Sequence, residues 1–322
     1  MTDSRSADRL SGIDGFRYLL CFPVALLHSL PGVAGHMTTV WATSLASGCR
    51  VAVPFFFIAS GYFMRVPATW TSSVVLRPLV RLLPVYLAWF LIYAGIDALF
   101  YGRVDGLTAK GLLTGGTAFH LWFLPVLGVT LAGVTTAIVT IGVRATAMLA
   151  AVLADLGLVF GAYHGVLHLR DVGGIRLTMA PALVLIGYRL ARSGIRLGIW
   201  QAVGGVMIAL LLVVMEEALI ARLSGSAFTS HDIVVMTYPL GVATFLLAMS
   251  LNDAPGLGIP ARLGTISLGV YASHLIFVRM LAIWIGRDAP ADACALAVAA
   301  TLIATALSLA LDRLPLVRRL VR

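Results

Sequence analysis

Arg17 and His28 lie in the segment IDGFRYLLCFPVALLHSL, and Tyr271 and His274 lie in TISLGVYASHLIFVRM, two stretches otherwise built of apolar residues. An ionisable side chain inside such a stretch is costly and is a functional candidate by default. Arg17 and His28 stand eleven positions apart. On a helix that spacing is a rise of ~16 Å and a rotation of ~1100°, so both project from nearly one face. One face then carries a guanidinium low and an imidazole high, with Asp14 beside the guanidinium. Two readings are open there: a snorkelling arginine with an interfacial histidine, or the two ends of a polar path. Tyr271 and His274, three apart, share a helix face, with Ser267 a turn earlier.

Further polar groups recur in the same kind of setting. LASGCRVAVPFFFIASGYFMR contains Pro54, which kinks a helix or removes one of its bonds. It then offers Ser60, Gly61 and Tyr62, followed by Arg65. Gly61 reads first as a close helix contact. In LRPLVRLLPVYLAWF, Arg77 and Arg81 are four apart and share a face. With Arg65 and Arg17 they suit either a phosphate clamp or an anchor to anionic lipid, and both readings stand. His120 and Trp122 in AFHLWFLPVLG fall at a boundary where an aromatic belt is expected. Asp155, Glu216 and Glu217 read as partners for Arg50 or Arg279.

The elements that must hold these groups are membrane helices. Of the 322 residues, 60% are apolar and only 11% charged, and the mean hydropathy is +0.98. A hydrocarbon core takes about 20 apolar residues per helical span. Runs of that length predict an all-α bundle of about ten spans near 13–30, 45–64, 79–100, 119–141, 146–163, 177–191, 198–217, 233–250, 264–286 and 293–311. Residues 1–12 read as a polar tail without a signal-peptide cleavage pattern, 13–311 as one transmembrane domain, and 312–322 as a basic tail. With residue 1 inside, fourteen arginines fall on the inner side against five arginines and Lys110 on the outer. The positive-inside rule then places both termini in the cytoplasm of a multi-pass cell-membrane protein. The net charge of +9 sits at helix ends, which argues against a nucleic-acid partner. Cys21, Cys49 and Cys294 fall in apolar helices without metal-ligand spacing, so neither a metal nor a disulfide framework is expected.

Four segments, in order, resemble the acyltransferase-3 family of membrane acyltransferases: IDGFRYLLCFPVALLH with its Arg-x10-His spacing, FFFIASGYFMR, RPLVRLLPVY followed by HLWFLPVL, and ISLGVYASH. The resemblance implies an acyl-CoA donor, acetyl-CoA first, reaching the site from the cytoplasm. It implies a hydroxyl acceptor on a cell-surface or lipid-linked glycan. It places the family's histidine and arginine of the first span on His28 and Arg17, its serine-glycine segment on Ser60, Gly61 and Tyr62, its later arginines on Arg77 and Arg81, and its Tyr-x-x-His on Tyr271 and His274. This sequence departs from the family by following His274 with Leu275, where proline is frequent. Some members carry an appended extracytoplasmic domain, so a separate extracytoplasmic partner is a further expectation here.

The expected mechanism puts CoA phosphates on Arg17, Arg65, Arg77 and Arg81, with the pantetheine arm rising beside the first helix. His28 acts as general base toward the acceptor hydroxyl. Tyr271, His274 and Ser60 hold the thioester or the oxyanion. Asp14, Tyr62, His120 and Trp122 line the substrate pocket. A covalent acyl-histidine remains an alternative to direct transfer. Two other classes stay open: a transporter or flippase without chemistry, and a cytoplasmic-face acyltransferase acting on a small metabolite.

Overall fold

The computed structural model describes residues 10–30, 40–102, 107–172, 175–226, 228, 231–252, 254, 256–287 and 289–322. Most of the expected N-terminal tail, with Arg5 and Arg9, and also Arg103, lies outside them. The described residues form helices and turns and contain no strand. In order the helices are α1 (Ser11–Leu19), α2 (Cys21–Ser29), α3 (Val40–Cys49), α4 (Ala52–Tyr62), α5 (Ser72–Val75), α6 (Arg77–Tyr101) and α7 (Ala109–Thr114). A 3-10 turn at Phe119–Trp122 leads into α8 (Phe123–Phe160), α9 (Met179–Ser193), α10 (Ile199–Ser224) and α11 (Thr237–Ser250). The series closes with α12 (Gly258–Leu263), α13 (Ser267–Ile285) and α14 (Pro290–Asp312).

Six of these stretches are long and apolar enough to cross a membrane: Val40–Tyr62, Arg77–Phe100, Phe119–Phe160, Ile199–Ser224, Gly258–Ile285 and Pro290–Asp312. Their outward faces are apolar, as lipid contact requires: Leu99, Ile283 and Trp284 are all strongly exposed. The expected helices at 119–141 and 146–163 occur as two helices joined across a kink within the 38-residue stretch α8. A straight helix of that length would extend ~57 Å, nearly twice a ~30 Å hydrocarbon core. The run is divided at Gly142, whose φ of 80° and ψ of 163° are non-helical and suit a residue without Cβ.

Proline explains two other breaks. Pro23 has no N–H to give the Leu19 carbonyl, and α1 ends at Leu19 with α2 starting at Cys21. Pro54 likewise leaves the Arg50 carbonyl without its helical donor, and the chain divides between Cys49 and Ala52. Helices α4 and α9 meet through two glycines. A Cβ on Gly61 would collide with the Val184 carbonyl, and one on Gly187 with the Ile58 carbonyl. The two backbones are therefore in contact, as small residues allow between membrane helices.

The core lies between α1–α2, α4, α6, α8, α9, α11, α13 and α14, with Phe55, Phe57, Trp89, Tyr93 and Phe245 among its buried side chains. The segment after α14 folds back onto it. Trp89 Nε1 donates to the Leu320 carbonyl at 2.9 Å, and the Gly269 N–H to the Val321 carbonyl at 3.2 Å. Arg322 holds that segment to Asp312 through two bonds of 2.5 and 2.8 Å.

Candidate active site

Helices α2 and α13 run side by side in the same direction. Near their starts the Cys21 thiol contacts the Ser267 carbonyl at 3.5 Å. Seven residues on in each helix, His28 and His274 stack with centroids 5.4 Å apart. Equal spacing on parallel helices gives equal depth, so the two histidines meet because their helices were already aligned a turn and more below.

A third imidazole joins them. His120, in the 3-10 turn ahead of α8, lies 4.9 Å from His274 and 6.0 Å from His28, centroid to centroid. His120 and His274 are 3% and 1% exposed, so the cluster is interior rather than interfacial. His120 Nε2 faces the Ala272 carbonyl at 3.2 Å, and the Tyr271 hydroxyl donates to the His120 carbonyl. His274 Nδ1 faces the Tyr271 carbonyl at 2.5 Å. Three ring nitrogens, His28 Nδ1, His120 Nδ1 and His274 Nε2, are buried without a hydrogen-bond partner. A buried polar atom without a partner is uncommon, and here it occurs three times in one cluster.

Helix α6 supports the cluster from the other side. Tyr93 packs its ring 5.5 Å from His120, and its hydroxyl donates to the Ala272 carbonyl at 2.9 Å. One turn further on, Asp97 pairs with Arg279 of α13 at 2.6 Å, with Asp97 buried. Neither Tyr93 nor Asp97 was among the sequence candidates. The signal for Asp97 is present, because it is a lone carboxylate in the apolar run LIYAGIDALF.

The other expected site residues fall at varying distances from this cluster. Ser60 donates to the Phe56 carbonyl of its own helix at 2.7 Å. Phe56, a turn nearer the cluster, packs against Tyr271 at 6.5 Å. Trp122 packs on Phe123, which in turn lies 5.7 Å from Tyr271. Arg17 and Asp14 form an ion pair at 3.3 Å, and the Arg17 guanidinium lies 5.3 Å over the Phe63 ring. Tyr62, next to Phe63, lines a cavity of about 420 Å³ with Leu10, Arg196, Ser250 and Asn252. Arg65, Arg77 and Arg81 are exposed. The candidates therefore divide between the imidazole cluster, with His120 and His274 buried, and the exposed Arg65, Arg77 and Arg81. Among the described residues, no cluster of three or more His, Cys, Asp or Glu side chains has the geometry to hold a metal ion.

The half-buried arginines Arg50 and Arg279 each have an aspartate as ion-pair partner. Arg279 takes Asp97, and Arg50 pairs with Asp232 in the loop before α11. Glu217 accepts from the Ser47 hydroxyl and from the His231 N–H. Glu216 accepts from the Tyr163 hydroxyl and from the Val235 and Met236 N–H groups, which belong to the approach to α11. Asp155 is exposed.

Comparison with known proteins adds a family and some relatives. The acyltransferase-3 family, described as an acyltransferase domain, matches residues 10–312. A serine/alanine racemase of Enterococcus gallinarum is 26% identical over 290 residues, covering 82% of this chain and 40% of that protein. An amino-acid racemase of Enterococcus faecalis is 27% identical over 162 residues, covering 48% of this chain and 22% of that protein. The chain thus spans two fifths or less of the curated relatives it matches. No solved structure matches.

Proposed function

The chain belongs to the acyltransferase-3 family, and from that premise we propose that it transfers an acyl group, acetyl first, from acyl-CoA to a hydroxyl of a cell-surface or lipid-linked glycan. The observation that supports the reading is the cluster of His28, His120 and His274, the last two buried. Acyl transfer from a thioester to an alcohol needs a base beside the acceptor hydroxyl. His28 is that base in this reading. It takes the hydroxyl proton as the oxygen bonds the thioester carbon, and the proton goes to the thiolate when the C–S bond breaks. A singly protonated imidazole with a free nitrogen suits both steps near neutral pH.

At the other end, Arg17, Arg65, Arg77 and Arg81 receive the phosphates of CoA. Guanidinium groups suit that task because each offers several fixed donors. The pantetheine arm reaches along α1 and α2 toward His28, a rise of ~16 Å. Tyr271, His274 and Ser60 position the thioester, and Asp14, Tyr62, His120 and Trp122 line the path. In the full reading the chain crosses the membrane ten times with both termini in the cytoplasm, and a separate extracytoplasmic protein completes delivery.

One observation favours a second acceptor class. The relatives are named for serine, alanine and amino acids, and serine is itself a hydroxyl compound. In this alternative the acceptor is a small metabolite of that kind. Purified protein in nanodiscs, given labelled acetyl-CoA, distinguishes the two. Label in lipid-linked or polymeric glycan supports the first reading, and label in O-acetylserine supports the second. Acetyl-CoA that stays intact with every acceptor contradicts acyl transfer and favours a transporter or flippase.

A further inference from the structure

We infer that His120 is a second proton holder in this site, and that Tyr93 is the positioning residue that fixes which of its two nitrogens is free. The role in transfer rests on the acyl-transfer reading, whereas the proton's location on the ring does not.

The Ala272 carbonyl sets the tautomer of His120. A carbonyl oxygen only accepts, so the nitrogen facing it at 3.2 Å, His120 Nε2, carries the hydrogen. The Tyr93 hydroxyl donates to the same oxygen at 2.9 Å. Ala272 lies inside α13, where its carbonyl also serves the helix, and Tyr93 and His120 are the two side chains that meet at it. The backbone of His120 is fixed in return, because its carbonyl accepts from the Tyr271 hydroxyl, one residue before Ala272. Ring and backbone are tied to adjacent residues of one helix, which leaves the imidazole little freedom to flip. In the singly protonated ring Nδ1 is then the free lone pair, and it is the atom found buried without a partner.

His274 is set by the same logic from its other nitrogen. Nδ1 faces the Tyr271 carbonyl at 2.5 Å, so Nε2 is free. The groups that face His120 are His28 from α2, His274 and Tyr271 from α13, and Tyr93 from α6. The nearest charged groups on α6 and α13 are Asp97 and Arg279, and they are engaged with each other. Among the described residues no carboxylate lies against the three rings, so a proton taken up there is best accommodated by a neighbouring imidazole lone pair. His120 Nδ1 supplies it. The proton leaving the acceptor hydroxyl is taken by one of two free lone pairs, on His28 or on His120 Nδ1, whose rings stand 6.0 Å apart, and goes to the thiolate sulfur as the C–S bond breaks. No proton is gained or lost over the cycle.

Two variants test this. In His120→Gln the side-chain amide keeps a donor where Nε2–H stands but has no basic nitrogen. Tyr93→Phe removes one hydroxyl. The first measurement is the ring-nitrogen NMR spectrum of 15N-histidine-labelled protein in nanodiscs, assigned by comparison with His120→Gln. The wild type is expected to show His120 protonated at Nε2, and Tyr93→Phe to show both tautomers. A wild-type His120 protonated at Nδ1 overturns the inference whatever the activity. The second measurement is the single-turnover rate of acetyl transfer against pH. His120→Gln is expected to lose on the order of 100-fold with unchanged acetyl-CoA KM, and to change the shape of the profile. Tyr93→Phe is expected to lose roughly 10-fold in the same direction. A His120→Gln profile that matches wild type, or is lowered evenly at every pH, also overturns it. Should the wild type transfer no acetyl group, the acyl-transfer reading fails while the NMR result still decides the tautomer.

Discussion

His28 and His274 meet ring to ring at 5.4 Å because Cys21 and Ser267, seven residues earlier, have already set their helices in parallel contact. The alignment is a property of two helices rather than of two side chains. It places the His28 imidazole against the Tyr-x-x-His segment of α13.

The arginine end makes the first prediction. Arg77 and Arg81 are exposed and share one helix face. Replacing both with alanine removes donor contacts far from the imidazoles. The KM for acetyl-CoA should rise about 10-fold while kcat stays within about two-fold, the pattern of lost uniform binding. Steady-state kinetics with varied acetyl-CoA checks it, and a fall in kcat at constant KM would remove these arginines from donor binding.

A second prediction concerns Asp97. Its carboxylate is buried and pairs with Arg279, 28% exposed, across α6 and α13. Removing one partner of such a pair is destabilising by ~3 kcal/mol, less when one member reaches solvent. Asp97→Ala should therefore lower the thermal midpoint in detergent distinctly more than Asp97→Ala combined with Arg279→Met. Equal losses in the single and double variants would show that the pair does not hold the helices together.

The α4–α9 contact gives a third. Gly187 has its backbone against the Ile58 carbonyl, where a Cβ has no room. Gly187→Ala should destabilise by ~1–3 kcal/mol through overpacking, read as a lower melting midpoint. Gly95 has open space around it, and Gly95→Ala should leave that midpoint unchanged or slightly higher. A melting curve for Gly187→Ala that overlays wild type would place the two helices further apart.

His231, in the loop before α11, carries the pH prediction. Burial chiefly, then the positive charge of Arg50 and the nearby His164, hold its pKa below the usual histidine value, with Asp232 opposing. Between the ordinary value near 6.5 and the lowered folded one, the unfolded chain binds the additional proton. The stability contributed by neutral His231 is thus complete above about pH 6.5 and is lost as pH falls toward the folded value. Midpoints measured from pH 7.5 down to 5 should fall less steeply in His231→Gln than in wild type. Parallel curves would remove His231 from the acid sensitivity.

Much of this arrangement is legible in the sequence, and the limits have physical causes. The Tyr271–His274 pair is a periodic signal on a single helix, readable from numbering alone, whereas Arg17 and His28 fall on α1 and α2, either side of the break at Leu20. His120 is different. It precedes α8 in a 3-10 turn, where no period indicates which way a ring points, and a boundary histidine resembles an aromatic belt. The structure turns it inward onto Ala272. Tyr93 escapes notice because a tyrosine in an apolar helix is unremarkable until its partner on another helix is known. Hydropathy separates the two arms of α8, and the structure agrees, with the kink at Gly142 falling at the expected boundary between them. The partners of Arg50 and Arg279 are long-range pairings, which local sequence does not encode.

The central claim is that the imidazole of His28 takes the acceptor proton during acyl transfer. The most direct measurement is single-turnover acetyl transfer by His28→Gln in nanodiscs, alongside acetyl-CoA binding to the same sample. The account predicts binding within about two-fold of wild type and a transfer rate lower by on the order of 100- to 10,000-fold. A His28→Gln protein that binds acetyl-CoA and transfers its acetyl group at the wild-type rate would contradict it.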